Sequence, residues 1–211
     1  MNRGKFKLIL FDVDSTLIQQ EVIDLLAQRT PYGDKVRDIT HRAMTGEIDF
    51  NQALIERVSL LEGLSDSIFE EVIDELSFTP GAIDLISELR NRGFRIGAVS
   101  GGFINILSKF FANLNLDYLR ANNLEVLDGK LTGKVHGEIV NRVVKREALF
   151  EFARNSKIDI SQTIAVGDGA NDLDMITSAG LGVSYRGKAI LNEAADVVIT
   201  DERLDNLLKF I

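Results

Sequence analysis

Apolar residues run without a break from Leu8 to Phe11, within the segment KLILF (residues 7–11), and stop at Asp12. A short continuous apolar run of this kind is the pattern of a strand buried on both faces, as in a parallel sheet. Similar runs recur at 94–99 (FRIGAV), 163–166 (TIAV) and 181–184, with 197–199 behind the last. Between them the apolar positions change to helical spacing. Ile83, Ile86 and Leu89 lead to Gly93, which suits a helix C-terminus. Leu149, Phe150, Phe152 and Ala153 predict a second helix, and Leu173, Ile176 and Ala179 a third. Strands alternating with helices predict an α/β fold with a Rossmann-like three-layer core, a parallel sheet covered by helices on both faces.

Two stretches break the alternation. Residues 18–78 carry helical patterns and no strand: Leu54, Val58 and Leu61 repeat at helical spacing, and Ile68, Phe69, Val72, Ile73 and Leu76 do so behind Ser65, a good N-cap. A crossover between neighbouring strands does not need so many residues. The segment is therefore expected to be an inserted helical cap domain, with the core formed by 1–17 and 79–211 and Pro80-Gly81 marking the return. A cap above the end of the first strand would exclude water and carry specificity groups. In the second stretch, residues 122–136, alternating apolar positions flank Asp128-Gly129 and predict a small β-hairpin insertion.

Composition narrows the function classes. The chain has 211 residues, 45% apolar and 27% charged, which fits one domain or a core with a smaller insertion. A net charge of −8 argues against nucleic acid as a partner, because non-specific binding needs a basic surface. It also means that an anionic ligand would need a local cation, from a metal or from placed Lys and Arg residues. There is no cysteine, which excludes disulfide and thiolate chemistry, makes structural zinc unexpected and fits a cytoplasmic location. The N-terminal apolar run is too short for a signal peptide or a membrane span, so no membrane partner is expected.

The candidate chemistry sits directly after the strands. Asp12-Val13-Asp14-Ser15-Thr16 follows the first, where open α/β sheets bind ligands. Two close carboxylates repel, so a cation between them or a shared proton is expected. Ser100-Gly101-Gly102 follows the strand at 94–99; a hydroxyl and free backbone N–H groups at a strand-to-helix turn suit phosphate oxygens. Gly167-Asp168-Gly169-Ala170-Asn171-Asp172 follows 163–166 and gathers oxygen ligands without His or Cys, a set suited to Mg²⁺. A calcium loop would need a further ligand series ending in Glu, which 173–181 does not supply. Taken singly, the first segment also reads as a strand-end turn, the second as a glycine turn and Lys145 as solvated surface. Together, the three turns would collect along one sheet edge as a nucleophile, a phosphate cradle and a metal site.

These motifs, DVDST, SGG, Lys145 and GDGAND in that order, resemble the haloacid dehalogenase-like phosphatase superfamily, and within it the phosphoserine-specific branch. The resemblance implies Asp12 as a nucleophile forming an aspartyl-phosphate, and Asp14 as acid and then base. It implies Mg²⁺ on Asp12, the Asp14 main-chain carbonyl and Asp168, with Asp172 supporting the metal's ligands. Ser100, Gly101, Lys145 and Asn171 would hold the phosphoryl group. Glu21 matches the position that reads a substrate ammonium, Arg57 the one that binds its carboxylate, and Met44 and Phe50 the apolar residues that close over the site.

On its own residues, Glu21 could instead be a first-turn helix acid and Arg57 a solvated helix-face charge. The pattern departs from the superfamily at Val13, where Phe is usual; that side chain should face the core and change packing only. No regulatory segment precedes the first strand, so feedback through one is not expected. The implied ligand is a small phosphate monoester, phosphoserine first, acted on by a monomer or homodimer. A phosphatase or phosphotransferase for another metabolite and a silent phosphate-binding protein remain the alternatives.

Overall fold

The computed structural model describes residues 5–211; the first four residues of the predicted core segment 1–17 lie outside the described residues. Seven strands form one sheet: β1 (Leu8–Phe11), β2 (Arg95–Phe103), β3 (Tyr118–Leu127), β4 (Lys130–His136), β5 (Thr163–Gly167), β6 (Leu181–Tyr185) and β7 (Val197–Ile199). Their spatial order is β4-β3-β2-β1-β5-β6-β7, and all neighbours are parallel except β3 and β4. The predicted α/β class and five of these strands are thus observed.

The first strand explains the three layers. Its Ile9 and Phe11 point into one hydrophobic cluster and its Leu8 and Leu10 into another, as the two-residue period of a strand requires. The Ile9–Phe11 cluster takes Leu85, Ile86 and Leu89 of α5 (Ala82–Asn91) and Ile106 and Leu107 of α6 (Ile104–Phe110). The Leu8–Leu10 cluster takes Ala148, Leu149 and Phe152 of α7 (Arg142–Asn155) and Met175 and Ile176 of α8 (Leu173–Ser178). A final short helix, α9 (Ala189–Asn192), lies between β6 and β7. Burying each such side chain is worth about 1.5–3 kcal/mol, which fixes the strand in the centre of the sheet.

Register then places the chemistry. Phe11 pairs with Ala98 of β2 and with Val166 of β5. Asp12, Ser100 and Asp168 therefore emerge at one edge, where the chain passes from β1 to opposite sides of the sheet, the usual ligand position in such folds.

Residues 18–78 contain four helices: α1 (Val22–Ala27), α2 (Gly33–Met44), α3 (Phe50–Ser59) and α4 (Ile68–Glu75). The segment leaves and returns through paired linkers, with Gln19 N–H donating to Ser77 O (3.0 Å) and Thr79 N–H to Leu17 O (2.9 Å). Val22, Leu26, Val36, Leu54, Val58 and Val72 join the same cluster as Ile9 and Phe11, so the helices share the core of the sheet. The far end is tied to the β3–β4 hairpin: Gly63 N–H donates to Leu131 O (2.9 Å), and Leu131 N–H to Leu64 O (2.8 Å).

Several local expectations change. In the stretch 122–136, β3 and β4 pair as an antiparallel hairpin from Asn123–His136 to Leu127–Lys130, while β3 itself begins earlier, at Tyr118, where it runs parallel to β2. One continuous strand serves both pairings. Its Asp128-Gly129 turn does take two positive φ values (50° and 73°), as a two-residue hairpin needs. Ser65 does not cap α4; Ser67 precedes the helix, and the Ser65 hydroxyl accepts from Ser67 N–H instead. Ile83 and Phe150 face solvent, while Leu85 and Leu149 complete the buried stripes. Gly93 ends α5 as expected, at φ 79°, with Phe94 N–H donating to Leu89 O.

Candidate active site

After β1, Asp12 N–H still donates to Val166 O (2.8 Å), and the chain then winds tightly. The N–H groups of Thr16, Leu17 and Ile18 all donate to Val13 O, and Ser15 takes a φ of 57°. This turn separates the two acids. Asp14 points to the helical segment and to β2: Oδ1 accepts from Val22 N–H (2.9 Å) and Oδ2 from the Ser100 hydroxyl (2.7 Å). Asp12 points to α7 and β5. Val13 is fully buried in the core.

Ser100-Gly101-Gly102 is not a turn after the strand. It lies within β2 as a bulge, where the pairing with β3 jumps from Ser100–Ala121 to Phe103–Asn122. The Ser100 hydroxyl accepts from Gly102 N–H (2.7 Å), which curls the backbone round it. Close approach demands glycine here: a Cβ on Gly101 would lie 2.8 Å from Phe50 Cζ, and one on Gly102 2.6 Å from Asp14 Oδ2. Asn122, fully buried, holds the bulge from behind. Its amide donates to Gly101 O (2.7 Å) and accepts from Val140 N–H (2.7 Å), just before Asn141 caps α7.

After β5, Asp172 folds back on its own loop. Its Oδ2 accepts from Asp168 N–H (3.2 Å) and Gly169 N–H (3.1 Å). Its Oδ1 receives Lys145 Nζ at 2.7 Å, and the same Nζ reaches Asp12 Oδ1 at 2.6 Å. Lys145 is fully buried behind the site, not at its mouth. Oxygens of Asp12, Asp168 and Asp172 lie within 4.8 Å of one another. Asp12 Oδ2 accepts no hydrogen bond among the described residues.

The site is short of positive charge. Burial raises Asp12 well above the usual carboxylate range, Asp172 adds to the rise, and Lys145 opposes it. Burial and Asp172 push Asp168 up to about 7. Burial also raises Asp14, against the Val22 N–H and Ser100 hydroxyl that stabilise its ionised form. At Lys145, burial favours the neutral amine, but Asp12 and Asp172 outweigh it and keep the ammonium charged. With all three buried carboxylates ionised, one ammonium would leave two negative charges unmatched, and the donors are all oxygen. That set fits one hard divalent cation. The side chain of Asp14 is not among the three.

Above these groups a pocket is lined by Asp12, Asp14, Gly101, Gly102 and Asn171 from the sheet edge and by Glu21, Ile23, Met44, Phe50 and Arg57 from the helical segment. All four residues named in that segment from the sequence thus meet the sheet-edge motifs. Glu21 accepts from the Ser15 hydroxyl (2.7 Å); burial, then Asp14 and Asp168, raise it well above its usual range. Arg57 is 4% exposed and forms no ion pair among the described residues. It donates to Ala53 O (3.1 Å) and the Thr40 hydroxyl (3.0 Å), with its guanidinium 6.0 Å from the Phe50 ring centroid. Burial lowers its pKa, against the attraction of Glu21. Asn171 leaves its buried amide oxygen without a partner among the described residues. The sequence reading missed Ile23, Asn122 and Thr40. No motif marks Asn122 or Thr40; their roles exist only through contacts with distant segments.

A family model for haloacid dehalogenase-like hydrolases matches residues 6–180. The chain belongs to this family. It is 49% identical to a phosphoserine phosphatase of Streptococcus thermophilus over 97% of this chain and 95% of that protein. Among solved structures it is similar to a phosphoserine phosphatase captured as an analogue of its phospho-aspartyl intermediate, with a TM-score of 0.95 and 45% identity over 99% of this chain and 100% of that one. A substrate-bound phosphoserine phosphatase complex matches with a TM-score of 0.94 and 44% identity, covering 98% of each chain.

Proposed function

We propose that this chain is a phosphoserine phosphatase, hydrolysing O-phospho-L-serine to L-serine and phosphate as a cytoplasmic step of serine biosynthesis. One observation carries the substrate: a single pocket joins Asp12 and Asp14 to Glu21 and to Arg57, a buried cation without an ion-pair partner among the described residues. Phosphoserine is zwitterionic around its α-carbon, so a guanidinium can grip its carboxylate while a carboxylate pairs its ammonium. A sugar phosphate offers neither charge. The relatives named above support the same reading.

In the first half-reaction Asp12 Oδ2, the oxygen not held by Lys145, attacks phosphorus in line. The bond from phosphorus to the serine oxygen breaks, and Asp14 gives its proton to that oxygen. Burial, which raises Asp14, favours the protonated form this step needs. In the second half-reaction a water attacks the aspartyl-phosphate, Asp14 takes the water's proton, and Asp12 leaves as carboxylate with phosphate released. One residue therefore serves as acid and then base. Lys145 holds Asp12 in place and opposes its protonation; Gly101, Gly102 and Asn171 line the pocket where the phosphoryl oxygens would sit. Asp12, Asp168 and the Asp14 main-chain carbonyl would hold Mg²⁺, with Asp172 orienting the loop. When bound, that ion neutralises charge on the transferring phosphoryl group.

A panel of phosphate monoesters assayed with Mg²⁺ tests this reading. Phosphoserine should exceed p-nitrophenyl phosphate and sugar phosphates in kcat/KM by about 100-fold or more, the range that paired polar recognition supplies. Equal rates across the panel would overturn the assignment.

A further inference from the structure

Arg57 is held in an unusual way. A buried guanidinium normally meets a carboxylate, because an unpaired buried charge is costly. Here its two protein partners are neutral oxygens, Ala53 O on its own helix and the Thr40 hydroxyl on α2. The remaining N–H groups have no hydrogen-bond partner among the described residues, and Arg57 lines the pocket. Behind Thr40 stands the carboxylate that direct pairing would have used. The Thr40 hydroxyl donates to Asp24 Oδ1 at 2.8 Å, sharing its proton with Val36 O at 2.9 Å. Thr40 itself is 4% exposed. The chain Arg57–Thr40–Asp24 thus links α3, α2 and α1 through one hydroxyl.

We propose that Thr40, backed by Asp24, is a specificity-positioning residue: it aims the Arg57 guanidinium at a ligand carboxylate while keeping Asp24 from neutralising it. This rests on the phosphoserine reading above. The hydroxyl fixes one edge of the guanidinium by accepting from Nη1. Nε is spent on Ala53 O, so the second Nη1 proton and the Nη2 protons, side by side at the end of the guanidinium, are what remain for a ligand carboxylate. A carboxylate at the Thr40 position would pair with Arg57 directly and compete with the ligand. A hydroxyl between the two lets Asp24 act on the guanidinium through a hydrogen bond without occupying it. Thr40 touches no ligand, and its effect should appear only for substrates that carry a carboxylate.

The experiment compares two monoesters that differ in that group, O-phosphoserine and O-phosphoethanolamine. The parent protein, Thr40→Val and Thr40→Ser are assayed on both with Mg²⁺. A strong preference of the parent for phosphoserine is required by the substrate reading itself; without it that reading and this one both fail. Given that preference, Thr40→Val should raise KM for phosphoserine about tenfold, a typical cost of losing a hydrogen bond to a charged group. Its KM for phosphoethanolamine should move far less, so the ratio of the two kcat/KM values collapses. Thr40→Ser, which keeps the hydroxyl, should restore the ratio. Equal losses on both substrates, or no restoration by serine, would overturn the proposal and leave the substrate reading standing. Should Thr40→Val fail to fold, Asp24→Asn tests the same chain: the ratio should fall several-fold, and an unchanged ratio would count against it.

Discussion

Lys145 Nζ stands 2.6 Å from Asp12 Oδ1, although 133 residues separate them in the chain. The same nitrogen reaches Asp172 Oδ1 at 2.7 Å, so one ammonium bridges the ends of β1 and β5 from α7. Lys145 therefore stands behind the attacking carboxylate and fixes which of its oxygens is free. The resemblance of motifs suggested that Lys145 would hold phosphoryl oxygens; its observed partners make it first a support for Asp12.

Removing that ammonium should be expensive. Lys145→Met would leave Asp12 and Asp172 buried and unpaired, which typically costs about 3–5 kcal/mol. For a chain of this size that lowers Tm by roughly 6–20 °C. Thermal melts in EDTA at neutral pH measure it, and a drop of less than about 2 °C would show that the carboxylates simply take up protons.

Asp12→Asn should separate chemistry from stability. The amide oxygen can still accept from Lys145, and one charge leaves a site that holds too many. Turnover should fall by at least about 10³-fold, while the metal-free variant melts no lower than the metal-free parent. Residual activity near the parental rate would place the nucleophile elsewhere.

Divalent metal should stabilise the fold as well as activate it. Mg²⁺ at about 100 times its Kd would add about 2.7 kcal/mol, or roughly 5–11 °C in Tm. Asp168→Asn should lose most of this shift, because Asp168 belongs to the acidic triad and, unlike Asp12 and Asp172, forms no ion pair among the described residues. Ca²⁺ should raise Tm without supporting turnover, since its tolerance of bidentate carboxylates would spoil the attack geometry of Asp12. Full activity with Ca²⁺, or an undiminished Mg²⁺ shift in Asp168→Asn, would refute the assignment.

What could be read from the sequence was what local order determines. The apolar run ending at Asp12 gave a buried central strand, and its neighbours gave the sheet edge that collects Asp12, Ser100 and Asp168. Gly93 and Asp128-Gly129 were legible because a positive φ leaves a direct mark on residue choice. The bulge at Ser100 was not, because it exists only in the register between β2 and β3. Asn122 joins Gly101 to Val140, and Thr40 joins Arg57 to Asp24; each is an ordinary polar residue until distant segments meet round it. Ile83 and Phe150 fit a helical repeat one position away from the buried stripe, an error that periodicity alone does not correct.

Just before β3, Asp117 meets the start of β2 and gives a pH-dependent contribution. Burial would raise its pKa, but the Ile96 N–H (2.9 Å), Arg95 (2.8 Å) and Arg90 (3.0 Å) outweigh burial and hold it below its usual value. A carboxylate depressed on folding stabilises the fold above its unfolded pKa, near about 3.9, and loses that contribution as pH falls through the folded value. Asp117→Asn should therefore cost about 1–2 kcal/mol at pH 7. The gap between parent and variant should close below about pH 4. Urea melts at both pH values measure it; a gap that persists in acid would assign the effect to packing.

Asn122 offers the sharpest test of how the phosphate-facing bulge is held. Its amide donates to Gly101 O and accepts from Val140 N–H at the approach to α7. Asn122→Ala would strand a carbonyl and an N–H in a buried setting, a loss of about 2–4 kcal/mol. The free Gly101 peptide could then rotate, moving the Gly101 and Gly102 N–H groups that line the pocket, and kcat should fall about tenfold or more, as misplacement of positioning groups does. An alanine variant that is less stable yet turns over at the parental rate would mean that the Ser100–Gly102 hydrogen bond alone sets the bulge.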